Sequence, residues 1–174
     1  VALLAASLAV VACQSKKPEP AAPVKAAAPT PSGDKILVGH VASMTGSEAT
    51  FGQSTDNGIK LAIERWNAKG GVKGKPITLR TYDSQGKPEE AAVAATRLIV
   101  NDRVNLLLGE VASSRSLAMA PVADANGTPM ITPSSANPRV TRDKDKVRPF
   151  VFRVCFIDPF QGTVMAKFAR EKLK

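Results

Sequence analysis

Cysteine, histidine and aromatic residues are scarce in this chain. Its 174 residues include two cysteines, one histidine, one tryptophan and one tyrosine. Cys13 and Cys155 stand far apart, and no CxxC or HxxxH spacing occurs. A structural or catalytic metal site needs several such donors at close spacing, so none is expected. His40 is the single imidazole. It sits inside an apolar run, where a packed role is expected rather than general-base work, and no GxSxG nucleophile elbow accompanies it. Glu64, Glu89 and Glu90 fall on helices or at their starts and read as surface groups, not as an acid/base pair. The stretch from Gly71 to Pro76 is not a phosphate loop: Pro76 replaces the hydroxyl, and the glycine pair follows a helix. No cofactor and no enzymatic activity are expected.

No apolar run reaches the roughly 20 residues of a membrane-spanning helix. Acidic residues are outnumbered, 15 against 24 basic ones, for a net charge of +9. The basic residues are spread out and mixed with acids, as in Arg142-Asp143-Lys144-Asp145-Lys146, without interleaved aromatics. A nucleic-acid partner is not expected. The charge reads as a solvated surface with a weak attraction for anionic lipid.

Three segments are nevertheless distinctive. Residues 1–12 are apolar except for Ser7, the right length for the apolar part of a signal peptide. The chain starts at Val1 rather than Met and stops within a helical pattern, so a piece cut from a longer protein is expected. Val10-Val11-Ala12-Cys13 resembles a bacterial lipobox, in which the cysteine carries a diacylglycerol. Cys13 is therefore the expected lipidation site, holding the protein to a membrane without spanning it. The alternative is an ordinary signal peptide that happens to contain a cysteine. Residues 13–34 then form a tether, since Pro18, Pro20, Pro23, Pro29 and Pro31 alternate with small and polar residues. Such a run buries too little apolar surface to offset its ordering entropy.

From Lys35 the pattern becomes that of a folded domain. Ile36–Ala42 is an apolar run suited to a strand covered on both faces. A loop follows from Ser43 to Gly52, then a helical repeat through Ile59, Ala62, Ile63 and Trp66 that ends at Gly70-Gly71. Further strands are expected at 77–82, 104–108, 129–132 and 150–156. Further helices should start at Pro88, Ser114 and Asp158-Pro159. Trp66 and Phe168 read as core, and Cys155 as a small buried hydrophobe. Alternating apolar strands and amphipathic helices imply an α/β fold with a doubly wound, mainly parallel sheet over residues 35–174.

In such sheets ligands bind beyond the carboxyl ends of the strands. The three loops expected there run from Ser43 to Gly52, from Gly109 to Arg115 and from Pro133 to Pro138. All are rich in small residues and hydroxyls. Ser113-Ser114 opens a helix, where free N–H donors and the dipole suit an anion. The two serines could instead only cap that helix.

Asn67–Pro76, Gly109–Ser114, Thr132–Pro138 and Asp158–Gly162 resemble, in order, segments of the leucine/isoleucine/valine-binding protein family. These are type I periplasmic substrate-binding proteins of branched-chain amino-acid ABC transporters. The resemblance covers about residues 35–174 and implies two α/β lobes closing on a ligand, of which this chain holds most of the first. It implies that Ser113 binds the ligand α-carboxylate through hydroxyl and N–H. It gives the Ser134 carbonyl to the α-ammonium and the Ala136 N–H to the amino-acid head group, and Phe51 to the pocket wall with Val111 and Ala112. Ala136 stands where relatives often carry a threonine, and so lacks one hydroxyl. The family also includes binders of amides, urea and aromatic acids. The implied partners are a small polar solute, most naturally an amino acid, the ABC permease subunits and the membrane that holds the anchor. The implied location is the periplasm or cell envelope. The rival reading is a ligand-sensing domain of a receptor or of an amide-responsive regulator.

Overall fold

The computed structural model describes residues 34–173. The expected signal segment, Cys13 and nearly all of the tether lie outside the described residues. Five parallel strands form one sheet: β1 (Ile36–Ala42), β2 (Ile77–Asp83), β3 (Leu106–Leu108), β4 (Met130–Thr132) and, last in the chain, Val151–Arg153. A two-stranded antiparallel hairpin, β5 (Arg142–Asp143) with β6 (Lys146–Val147), precedes that last strand, which is therefore β7. The order across the sheet is β2-β1-β3-β4-β7. The α/β, mainly parallel architecture expected from the sequence is the one observed.

The chain steps from β1 to β2 in one direction and from β2 past β1 to β3 in the other. Right-handed crossovers in opposite directions must pass on opposite faces of the sheet. Helix α1 (Ala49–Ala68) accordingly packs on β1 and β2, while α2 (Pro88–Thr96) and α3 (Ser113–Asn126) pack together on the other face. Alternation in β1 serves both faces. Leu37 and Val41 join the core made with Ala91, Ala95, Leu98 and Ile99 of α2 and its π-helical extension Arg97–Asn101. Gly39 points the same way: an added Cβ would meet Leu98 and Val104 at 3.1 Å. His40 points to the α1 face, where its Nδ1 lies 3.0 Å from Asp56 Oδ1.

Several expectations are corrected. Helix α1 begins at Ala49, so Phe51 and Gly52 lie in its first turn rather than in a loop. The aliphatic pattern hid this, because Asp56, not a hydrophobe, turns that half of the helix toward the sheet. Trp66 and Phe168 are not core: they are 56% and 55% exposed. Trp66 lies on the outer ridge of α1, since Gly52, Asp56, Ile59, Ile63 and Asn67 form its inner one. Phe168 belongs to α4 (Asp158–Phe168), a helix with no buried residue. Cys155 is only half-buried. The strand expected over 150–156 pairs only at Val151–Arg153, where it meets the three residues of β4.

Candidate functional site

The strand order reverses at β1, with β2 on one side and β3 on the other. In open parallel sheets the crevice beyond such a reversal is where ligands bind. Glu48 and Phe51 arrive there from the start of α1, Val111 and Ala112 from the segment after β3, and Ser134 from the segment after β4. Together they line one open depression of about 340 Å³.

A buried polar network adjoins it. Glu110 is fully buried. Its Oε1 accepts from the hydroxyls of Ser43 at 2.7 Å and Ser84 at 2.8 Å, so one carboxylate ties together the ends of β1, β2 and β3. Its Oε2 accepts from Arg115 Nε at 2.8 Å. Arg115 donates onward to the Gly86 carbonyl and to Glu48 at the rim. Burial alone would raise the Glu110 pKa; hydrogen bonds from Arg115, Ser43 and Ser84 outweigh it and hold the group below its ordinary value. Burial would likewise lower that of Arg115, yet Glu110 and Glu48 raise it. The Glu110 carbonyl accepts from the hydroxyls of Ser116, Thr132 and Ser135 at 3.0, 2.7 and 2.9 Å. The loops that look soft in sequence are therefore cross-braced.

Asp83 performs the same task at the edge. It accepts from the Met44 and Gln85 N–H groups at 2.9 and 2.7 Å and from the Thr45 hydroxyl at 2.5 Å. Burial pushes its pKa up, but these donors hold it below the ordinary value.

Helix α3 begins at Ser113, one residue before the expected start, with Ala112 as its N-cap and no capping side chain. The reading of Ser113 and Ser114 as caps is thereby corrected. Ser113 Oγ accepts instead from the Asn137 N–H at 3.2 Å, drawing the loop after β4 toward the helix. Ser134 Oγ donates to the Val111 carbonyl at 2.9 Å. The Ala136 carbonyl accepts from the Asp158 N–H at 3.2 Å. The first-turn N–H groups of α3 thus remain available to an anion or polar ligand.

A family model described as periplasmic binding protein matches residues 35–174. The chain belongs to the periplasmic binding protein family. A Leu/Ile/Val-binding protein homologue of Brucella melitensis is 33% identical over 140 residues, covering 80% of this chain and 37% of that protein. A leucine-binding protein structure from Thermotoga maritima is 44% identical with a TM-score of 0.71, covering 79% of this chain and 37% of that one. A branched-chain amino acid transporter substrate-binding protein of Streptococcus pneumoniae, solved with isoleucine, is 31% identical with a TM-score of 0.73. The match covers 80% of this chain and 39% of that one. The chain spans less than two-fifths of the length of these relatives.

Within this periplasmic binding protein fold, four of the six residues singled out from sequence, Phe51, Val111, Ala112 and Ser134, share the depression, and Ser113 adjoins Ala112. Ala136 does not line it. Sequence reasoning missed Glu48, Glu110 and Arg115. The available signal was two opposite charges, Glu110 and Arg115, flanking an otherwise uncharged stretch.

Proposed function

We propose that this chain forms one wall of the solute site of an ABC-transporter substrate-binding protein. It captures a small polar solute, a branched-chain or other amino acid, and delivers it to the membrane permease without covalent chemistry. The observation that carries this reading is the convergence of segments after β1, β3 and β4 on one depression beside the uncapped start of α3. Ser113 holds the solute carboxylate there by hydroxyl and N–H, with the helix dipole favouring the anion. The Ser134 carbonyl accepts from the ammonium, and the Ala136 N–H donates to the head group. Phe51, Val111 and Ala112 contact the aliphatic part. A second lobe of the complete protein closes over the solute, excluding water and strengthening each polar contact. Export to the periplasm or cell envelope and lipidation at Cys13 complete the proposal.

Calorimetry on the complete protein tests it, with leucine, isoleucine, valine, an aliphatic amide and an aromatic acid as titrants. A charge-assisted hydrogen bond contributes about 1.5–3 kcal/mol. Ser113→Ala is therefore expected to weaken the bound amino acid by roughly tenfold to a hundredfold. Unchanged affinity in Ser113→Ala removes that residue from the site. Binding of the amide or aromatic acid alone reassigns the solute to one without an ammonium group, in keeping with the hydroxyl missing at Ala136.

A further inference from the structure

The outer face of α1 carries the chain's only tryptophan. Trp66 is 56% exposed and Leu61 49%. With Ala62, Arg65 and Lys69 they line a surface depression of about 310 Å³. Leu61, Arg65 and Lys69 recur every four residues and so stand above one another on the helix. The next turn of chain adds Lys73 and Lys75, both exposed. That turn is held firmly. Val72 and Lys75 pair across it, and the Asn67 side chain bonds both the N–H and the carbonyl of Ile77 at 2.8 Å. None of Arg65, Lys69, Lys73 and Lys75 forms an ion pair among the described residues. Glu64, their acidic neighbour in sequence, forms none with them.

The position of this patch matters as much as its composition. The turn leads into the first residue of β2, and the Ile36 N–H donates to the Pro76 carbonyl at 2.9 Å. The chain thus enters the domain beside the patch, at the end of the sheet opposite the solute depression.

We propose that Leu61, Arg65, Trp66, Lys69, Lys73 and Lys75 form a docking face for an anionic lipid bilayer. Tryptophan favours the boundary between headgroups and acyl chains, and unpaired lysine and arginine are drawn to an anionic leaflet. Two unpaired cations beside an exposed indole and two more on the adjoining turn fit a diffuse negative surface, and the net charge of +9 adds attraction at longer range. Docked this way, the domain presents its solute loops away from the lipid. The proposal stands apart from the solute-binding reading, because it uses none of the same side chains.

Trp66 is its own reporter. The full chain, carrying Cys13→Ser so that no lipid attaches, is mixed with vesicles of phosphatidylglycerol and phosphatidylcholine, or of phosphatidylcholine alone. Trp66 emission is expected to shift to the blue on the anionic vesicles only, and the shift to fade with added salt. Combined Arg65→Glu, Lys69→Glu and Lys73→Glu is expected to weaken vesicle binding about tenfold or more. A matched reversal at Arg142, Lys144 and Lys146 on the β5–β6 hairpin should cost far less. Circular dichroism checks that both variants fold. Vesicle binding with Trp66 emission unchanged would overturn the proposal, because another segment then makes the contact. Equal losses in the two triple variants would overturn it in favour of net charge alone. No vesicle binding, with Trp66 shifting only on added permease, would make the face a protein interface instead.

Discussion

Glu110 and Arg115 put opposite charges where water does not reach. An ion removed from water keeps its charge only when others replace the lost hydration. Glu110 has Ser43, Ser84 and Arg115; Arg115 has Glu110, Gly86 and Glu48. Replacing Glu110 by alanine strips Arg115 of its buried partner. Glu110→Ala is expected to lose about 3–5 kcal/mol in urea unfolding. His40 makes the second residue-scale case. Burial disfavours its cation and lowers its pKa below 6.5, while Asp56 opposes this only in part. Below pH 6.5 the unfolded chain therefore takes up a proton that the folded chain still refuses. Stability contributed by His40 is complete above 6.5 and falls as pH drops toward the lower folded value. Urea midpoints measured downward from neutrality should show that decline, and His40→Gln should flatten it. The packed role of His40 was legible from its apolar strand. The charge pair was not, since neither residue's burial can be read without knowing which loops meet.

At the scale of the element, α1 shows how one helix answers to two environments. Gly52 sits against the backbone of Ser43, and a Cβ there would come within 2.0 Å of the Ser43 carbonyl oxygen. Gly58, two turns later, has nothing within 4 Å of an added Cβ. Gly52→Ala must push α1 off the sheet and is expected to lose about 1–3 kcal/mol, as overpacked sites do. Gly58→Ala relieves the entropic cost of a glycine inside a helix and is expected to gain about 0.5–1 kcal/mol. Thermal unfolding of the two variants should move in opposite directions. Helix and strand types were legible along most of the chain, because Ile59 and Ile63, and Ala95, Leu98 and Ile99, carry the helical period. The first half of α1 was not, because a buried aspartate and two glycines carry no hydrophobic signal. The outward turn of Trp66 was also hidden: periodicity says which residues share a ridge, not which ridge faces the sheet.

At the scale of the molecule, the depression lined by Phe51, Val111, Ala112 and Ser134 is open. Well-formed pockets cover most of a small ligand's surface. A single wall that leaves much of the solute in water forgoes the exclusion that strengthens its polar contacts. This 174-residue chain by itself is expected to bind leucine with a Kd weaker than about 1 mM, measured by ligand-observed NMR. Submicromolar binding would show that this chain alone completes the site.

The sequence alone determined the α/β class and the mainly parallel strand set. Local periodicity and glycine or proline punctuation act within a few residues, so they survive as text. Only the tertiary structure decided that the segments after β1, β3 and β4 meet at the strand-order reversal. It also decided that one buried carboxylate braces them, and that the basic turn with Trp66 lies at the far end of the sheet. Those outcomes depend on crossover direction and on contacts between residues far apart in the chain, for which no local pattern exists.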